Sequence, residues 1–456
     1  MLTKKIKLSI LLCLFTVSNI LAQTQEIDVT APLTLDECLT YAYQNSENIK
    51  IADLEKTIAQ AEVGITKAQG LPQVDLAVVY NNNFAVPTIY LPAEAGAAFG
   101  QPGDEEVELN LGIRNEANAG ISASQMIFDG SYFVGLAAAR TFVNLSEQDY
   151  ILTKNDVAEQ VTKAYYAALI DEFLENLVLS NLQRVDTLLR ETKLMYENGF
   201  VEKIDVDRIS VQFNNIKTEL DRVKRSSKLS VLLLKFQMGM PIEQEITLAD
   251  KLSEIDFDPE VEADQGFNYT DRAEYAQLLI NQDLVQLDMR NTRAQRLPKL
   301  TLVANYGYNT GTDDFTNITN LNRWNPLGSF GVNLSIPVFD GLRKYHTIQK
   351  SKVQMQQLEL QSSFLQNSID LEIEQARVNL NNSVEQMENQ LENYELAQEV
   401  YRVSKIKYQE GVGSNIVVID AENSLISAQT NYFQALYNAI IAKVGLQRAL
   451  GILVQN

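Results

Sequence analysis

Hydrophobic positions along the first half of the chain change their spacing in a fixed order. Between residues 33 and 69 apolar side chains recur every three, four or seven positions, which predicts an amphipathic helix. Around residues 75–81 and 121–126 the period falls to two, which predicts two β-strands. The helical period returns over residues 130–199 without a proline, and a further helix is predicted over about 204–238. The predicted order is helix, strand, strand, long helix, turn, helix.

The second half of the chain repeats this order, marked by three motifs that occur twice. The motifs are Ala-Gln-x-Leu-Pro at 68–72 and 294–298, Phe-Asp-Gly at 128–130 and 339–341, and Tyr-x-x-Gly at 196–199 and 408–411. Strands are predicted at 300–308 and 330–338, a long helix over 341–411 and a last helix over about 416–450. The chain is therefore expected to contain a duplicated unit, with repeats at 23–239 and 267–456.

Each predicted strand is about ten residues long and carries apolar side chains on one face and small polar ones on the other. That length and pattern suit a strand that crosses a bilayer at a tilt. Four strands cannot close a barrel, whereas three copies of the chain would supply twelve. The long helices, at 1.5 Å per residue, form rods of about 100 Å. A hollow helical cylinder below a membrane barrel is the expected architecture, and the function it implies is a conduit.

Composition and charge exclude several classes of partner and site. The formal net charge of −21 would repel a phosphate backbone, so nucleic acid is not an expected partner. One histidine and two cysteines exclude Cys/His metal clusters and a disulfide framework. Three lysines followed by an apolar run predict a signal peptide at 1–22, whose removal would also remove Cys13. Cys38 is predicted to be a small buried hydrophobic residue. The acid-rich segment 240–266 is expected to be a solvated connector.

The duplicated motifs resemble those of the TolC-type outer membrane efflux proteins, and the likeness extends over nearly all of the chain after residue 22. The resemblance implies an α+β membrane protein: a homotrimer with a twelve-stranded barrel in outer membrane lipid and an α-helical tunnel through the periplasm. It also implies a periplasmic adaptor and an inner-membrane pump as partners, with no catalysis and no cofactor. The expected function is a passive exit duct for small molecules. Protein secretion of the ATP-binding cassette type and a periplasmic coiled-coil rod stay open as alternatives.

The resemblance places the candidate site at the two helix turns, which would be the periplasmic tips. Asp420 matches a position at which the family often has an inward acid, and Asp205 and Tyr408 match positions that can hold the entrance closed. Adaptor docking is assigned to five residues: Gly199, Phe200, Gly411, Val412 and Gly413. Val417 and Gly413 depart from the family pattern at an acidic and a basic position, which predicts a thinner closing network. Helix capping or ordinary packing would explain the same residues.

The sequence contains few residues that could support an enzymatic function. The carboxylate pairs 104–105 and 313–314 lie in predicted external loops without apolar surroundings that would shift a pKa. His346 lies on a helical face, where surface packing is the ordinary role of a single histidine. The segment Gly411-Val-Gly413 lacks the third glycine and the preceding buried strand of a nucleotide-binding loop. We therefore expect no catalytic, metal or cofactor-binding residues.

Overall fold

The computed structural model describes residues 31–91, 107–110, 112–250 and 267–454. The predicted signal peptide 1–22, the pair Asp104 and Glu105, and residues 251–266 of the acidic connector lie outside this range. The described elements of the first repeat are α1 (Leu35–Asn45), α2 (Glu47–Ala68), β1 (Gln73–Asn82), β2 (Thr88–Leu91), β3 (Val107–Asn110), β4 (Asn115–Phe128), α3 (Gly130–Glu197) and α4 (Lys203–Met238).

The second repeat has the same order of helices and long strands. Its elements are α5 (Ala273–Ala294), β5 (Lys299–Thr312), β6 (Asn325–Ser335), α6 (Arg343–Gln409) and α7 (Asn415–Leu450), with short 3₁₀ turns before α5 and between β5 and β6. None of the helices in the described part of the chain carries a stretch both long enough and apolar enough to cross a bilayer.

The long strands form one antiparallel sheet in the order β1-β4-β5-β6. In its middle row Val74, Ala123, Ala304 and Phe330 lie side by side, and the row of Asp75, Ser122, Asn305 and Ser329 is the next one along the strands. Successive rows point to opposite faces, so one face is apolar and the other small and polar, as predicted. β1 and β6 are the two edges and have no further ladder partner among the described residues.

The helices form a wall of antiparallel hairpins on one side of the sheet. We call the half of the wall nearer to the helix turns its lower half. There α4 packs along α3, α7 packs along α6, and α3 and α7 contact each other. α2 and α5 take the corresponding places in the upper half, both against α3. The two shorter helices of each repeat therefore flank the long helices at successive levels, as their lengths indicated.

Four details differ from the sequence expectation. The helix expected over 33–69 is two helices, because the backbone of Ser46 is extended (ψ 130°) where Gly239 approaches it. The loop after β1 contains the short hairpin β2–β3. β6 ends at Ser335, since Pro337 has no N–H to donate to a ladder, so Ile336 and Val338 lie beyond the strand.

The fourth difference concerns the described part of the connector, residues 240–250, which pairs with the first repeat although most of its residues are exposed. Ile246 and Leu248 pack against a core cluster formed by α1, α3 and α4. The Leu33 N–H donates to the Thr247 carbonyl at 2.8 Å, and the Leu35 N–H donates to the Asp250 carboxylate at 3.0 Å. Backbone pairing thus fixes the beginning of the connector to the first repeat. Cys38 lies fully buried in the same cluster, as predicted, and burial raises the pKa of its thiol to about 12.

Candidate functional site at the helix turns

The two helix turns have the same backbone geometry. Gly199 and Gly411 follow α3 and α6 with φ of 77° and 76°, in the left-handed region that favours glycine. In each turn the next residue donates its N–H back to the last helical turn: Phe200 to the Met195 carbonyl at 2.9 Å and Val412 to the Lys407 carbonyl at 3.0 Å. The Tyr-x-x-Gly motif thus encodes a tight helix stop in both repeats.

Both turns present an apolar side chain to solvent. Phe200 is 80% exposed and Val412 is 78% exposed in the single chain. A Cβ added at Gly199 or Gly411 would meet nothing within 4 Å, so the space beside each turn is open. At Gly413 an added Cβ would lie 3.0 Å from the Tyr408 backbone nitrogen, so this position requires a small residue for the turn itself. The five predicted docking residues therefore lie together at the same end of the wall.

Tyr408 is buried between helices. Its hydroxyl lies 3.2 Å from the Thr192 hydroxyl of α3, and burial raises the pKa of the phenol. The side chain belongs to a core cluster that also contains Leu188, Leu189 and Val418. Within one chain, Tyr408 therefore connects the second hairpin to the first.

Asp205 caps α4. Its carboxylate accepts the N–H of Glu202 at 3.2 Å, and the Glu202 side chain accepts the N–H of Asp205 in return. The Asp205 carbonyl accepts a hydrogen bond from the Asn415 side chain at 2.9 Å, which joins the starts of α4 and α7. Within one chain, Asp205 thus contacts the second hairpin through its backbone carbonyl, and its partner Asn415 was not among the residues predicted from the sequence.

Asp420 is exposed on α7, and its carboxylate has no hydrogen bond or ion pair among the described residues. Successive helical residues turn by about 100°, so Asp420 and Glu422 point to opposite flanks. From Asn415 to Ala442, Asp420 is the only charged side chain on the exposed face of α7, whose other polar members are serine, threonine, asparagine and glutamine. The structure therefore leaves one unpaired carboxylate on an otherwise uncharged helix face.

A buried polar cluster above the turns was not predicted from the sequence. Glu422 is 2% exposed and forms an ion pair with Arg184 of α3, Oε1 to Nη2 at 3.3 Å. The same guanidinium donates to Asn181, whose amide donates to Gln429 at 3.0 Å. Burial raises the pKa of Glu422, and the Arg184 charge opposes only part of this effect. The apolar spacing around Glu422 was the available signal, since a carboxylate at a core position requires a partner.

The other sequence candidates have structural roles. Asp313 accepts the backbone N–H of Arg114 at 3.2 Å, and Asp314 caps a 3₁₀ turn by accepting the N–H of Thr316 at 3.0 Å. His346 is exposed and lies 3.2 Å from the side chain of Gln349. None of these residues is assembled with a second ionisable group into a pocket in the described part of the chain.

The fold and the turns define a class of protein. A two-faced sheet with open edges continues into helical hairpins about 100 Å long, which is the architecture of a membrane exit duct. Residues 272–452 match the family described as outer membrane efflux protein. The resemblance to TolC-type outer membrane efflux proteins is thereby confirmed.

Individual relatives agree with this assignment. The chain is 21% identical to the outer membrane protein TolC of Vibrio cholerae over 92% of this chain and 91% of the relative. It is 24% identical to the pyoverdine export outer membrane protein OpmQ of Pseudomonas aeruginosa, over 91% and 85% of the two chains. The outer membrane channel CmeC of Campylobacter jejuni has the same fold, with a TM-score of 0.68, 17% identity and coverage of 91% and 85%. The predicted fold of an outer membrane efflux channel, the outer membrane localisation and the efflux channel function are confirmed, while the homotrimer and the twelve-stranded barrel stay predictions.

Proposed function

We propose that three copies of this chain assemble into the outer membrane exit duct of a tripartite export system. The observation that carries the proposal is the sheet, whose apolar face is exposed and whose two edges are unpaired in the described chain. Leu76, Val78, Phe330 and Val332 are all more than half exposed on that face. Hydrocarbon is the solvent that favours such a face, but it does not tolerate open strand edges.

Closure follows from strand direction. β1 and β6 lie at opposite edges and run in opposite directions, so β1 of one copy can pair antiparallel with β6 of the next. Repetition of this contact gives an up-and-down barrel with an even number of strands, and three copies give twelve. A dimer would give eight, a size that side chains fill. The exposed apolar face also disfavours a soluble periplasmic rod.

The helical wall has free edges that fit the same assembly. Apolar side chains are exposed along the outer sides of α2, α4 and α6 in the single chain: Ile51, Leu54, Ile58, Leu229, Phe236, Leu360, Phe364 and Leu371. A wall of antiparallel helices closed by two further copies would cover these residues and enclose a tunnel. Its open end would lie at the helix turns.

At that end we assign docking and gating to different residues. Gly199, Phe200, Gly411, Val412 and Gly413 form two protruding apolar turns that fit the helical hairpin of a periplasmic adaptor. Three copies of Asp420 would ring the tunnel and favour cations. Tyr408 and Asp205 keep the second hairpin attached to the first, which holds the resting entrance narrow.

The pump behind the duct determines what is exported. Two relatives carry the names of an efflux or export protein, which supports passive exit of small molecules rather than proteins. An inner-membrane pump of the resistance-nodulation-division type is the partner that fits this role, and the duct itself performs no catalysis and holds no cofactor.

Conductance of single channels in planar bilayers tests the proposal. Wild-type protein should have the mass of a trimer in detergent and a small conductance that prefers cations. Asp420→Asn should reduce the cation preference, and Tyr408→Phe with Asn415→Ala should enlarge the conductance. Asn438→Asp on the same exposed face of α7, about 27 Å higher, is the matched control for charge position. A monomer without conductance would refute the duct, and a trimer whose selectivity ignores Asp420 would refute the acid ring.

A further inference from the structure

We propose that neighbouring copies are joined along the lower half of the tunnel by a ladder of ion pairs. In this ladder, Lys217, Lys224 and Lys228 on α4 of one copy face Glu395, Glu388 and Glu385 on α6 of the next copy. The inference rests on the proposed trimer and identifies the chemistry of its seam.

The two helices stand at the ends of the wall. α4 packs on α3, α6 packs on α7, and the contact between α3 and α7 closes the middle. In a ring of copies, α4 of one chain therefore has α6 of the next as its neighbour. Near the turns Asn415, the first residue of α7, contacts the carbonyl of Asp205, two residues into α4. Gln409, the last residue of α6, contacts Glu191, six residues before the end of α3, at 3.2 Å. The two turns therefore lie within about 9 Å of the same level.

On α4, each of the three lysines comes one position after a buried residue. Buried residues recur at heptad spacing: Ile216, Leu220, Val223, Ser227, Ser230 and Leu234. Lys217, Lys224 and Lys228 come directly after Ile216, Val223 and Ser227, so they share one flank about 100° from the packing face. All three are exposed, and none has an ion pair with another described residue.

On α6 four glutamates form the complementary stripe. Glu385, Glu388, Glu392 and Glu395 are exposed and without ion pairs in the described chain. Residues 378–401 contain no lysine or arginine, so the stripe has no cation on its own helix at this level. Nearby acids do have partners in their own helix, such as Glu399 with Arg402 and Glu374 with Arg377. The unpaired acids are therefore a distinct set.

Measured from the turn of its own hairpin, each stripe lies at the same height. Lys217 lies fourteen residues above Lys203, where α4 begins, and Glu395 lies fourteen residues before Gln409, where α6 ends. At 1.5 Å per residue both are about 21 Å above the turns, and Lys224 and Glu388 are both about 32 Å above them. Lys228 and Glu385 differ by about 2 Å in height.

The flanks also agree. Glu388 and Glu395 come directly after Met387 and Tyr394, which pack against the core clusters of the wall. Both stripes are thus rotated by one residue in the same sense from their packing faces. Because α4 and α6 run in opposite directions and stand at opposite ends of the wall, this common rotation brings both stripes to the same surface of the seam. A second copy of the chain therefore supplies the charges that each stripe lacks.

Cysteine pairs test the register of this seam in the full chain, expressed in outer membranes. Lys224→Cys with Glu388→Cys should give a covalent trimer under mild oxidation, because each copy bonds to both neighbours. Lys224→Cys with Glu399→Cys is the control, since Glu399 is exposed on α6 but lies about 16 Å lower. The native Cys38 is buried and does not compete.

Charge reversal provides the second readout. Glu388→Lys with Glu395→Lys should shorten the lifetime of the trimer in detergent by about tenfold at low salt, and addition of Lys217→Glu with Lys224→Glu should restore it. A native trimer that forms no covalent trimer at this pair, or a cross-link to a different protein, would overturn the ladder while the duct stands. A monomeric wild type would overturn both.

Discussion

The buried pair of Arg184 and Glu422 leads to a prediction about stability. Arg184→Met removes the only cation that contacts the Glu422 carboxylate in the described structure, and it leaves the acid 2% exposed among helices α3, α6 and α7. Glu422 Oε2, the Arg184 Nε and the Tyr401 hydroxyl already lack hydrogen-bond partners among the described residues. The Tyr401 hydroxyl is a spare donor beside Glu422, but it is neutral and cannot replace the charge of the guanidinium.

The magnitude follows from the burial of each partner. Breaking a fully buried ion pair costs about 3–5 kcal/mol, because one charge stays uncompensated. The Arg184 side chain is 31% exposed, so solvent weakens the pair, and we expect a loss of about 2 kcal/mol. Arg184→Met with Glu422→Leu removes both charges and should recover stability to within about 1 kcal/mol of wild type.

The loss should depend on pH in a defined direction. Burial raises the pKa of Glu422 above its unfolded value of about 4.3, so the folded state binds this proton more tightly. A group of this kind contributes stability that is fully present below the unfolded pKa and is lost as pH rises through the folded pKa. Without Arg184 the folded pKa rises further. The deficit of Arg184→Met should therefore be larger at about pH 8 than at about pH 5.

Thermal unfolding in detergent, followed by the helical circular-dichroism signal, measures these differences. A loss of 2 kcal/mol lowers the midpoint by a few degrees in a chain of this size. Arg402→Met, which breaks the exposed pair with Glu399, is the matched control and should cost less than about 0.5 kcal/mol. The reasoning is wrong if Arg184→Met resembles this control, or if the double variant is as unstable as the single one.

Three further predictions concern the sheet, the free thiol and two glycines. Phe330→Arg, on the apolar face at mid-strand, should reduce recovery in outer membrane fractions several-fold, at a cost of about 2–4 kcal/mol, while Ser329→Arg on the opposite face is recovered normally in immunoblots. Cys38 should not react with maleimide in the native protein at neutral pH but should be labelled fully after unfolding, as mass spectrometry would show; rapid native labelling contradicts its burial. Gly239→Ala should destabilise more than Gly411→Ala in thermal melts. An alanine at either position has to adopt a positive φ, which costs about 1–2 kcal/mol. At Gly239 its Cβ would also lie 2.7 Å from the Asn45 carbonyl oxygen.

The sequence predicted the order of the long elements and the bounds of the helices after each long strand pair closely, because their signals are local. The helix expected from about 204 begins at Lys203 and ends at Met238 as expected, and the one expected from about 416 begins at Asn415. Glycine and proline at the ends of periodic segments supply these bounds. The break at Ser46 was missed because the approach of Gly239, nearly two hundred residues away, determines it.

The site was predictable only in part, for the same reason. Exposure of Asp420 follows from its place in the helical period, and the tight turns follow from Gly199 and Gly411. The partners of Tyr408 and Glu422 lie more than two hundred residues away along the chain. Helical spacing shows that both positions face the core, but it does not show what they meet there.

The contacts near the turns have a common consequence for opening. Tyr408 with Thr192, Asn415 with the Asp205 carbonyl, and Arg184 with Glu422 all join the second hairpin to the first within about 20 Å of the tips. Asp420 lies on the opposite flank of α7 from Glu422, so a rotation of α7 that moves this acid must break the two contacts made by α7, at Asn415 and at Glu422, together. An adaptor that binds only the exposed turns can drive this rotation only if its contacts differ in free energy between the two states. We therefore expect variants that weaken these contacts to open the channel without an adaptor. Each variant should lower the free-energy barrier to opening by the contribution of the contact that it removes.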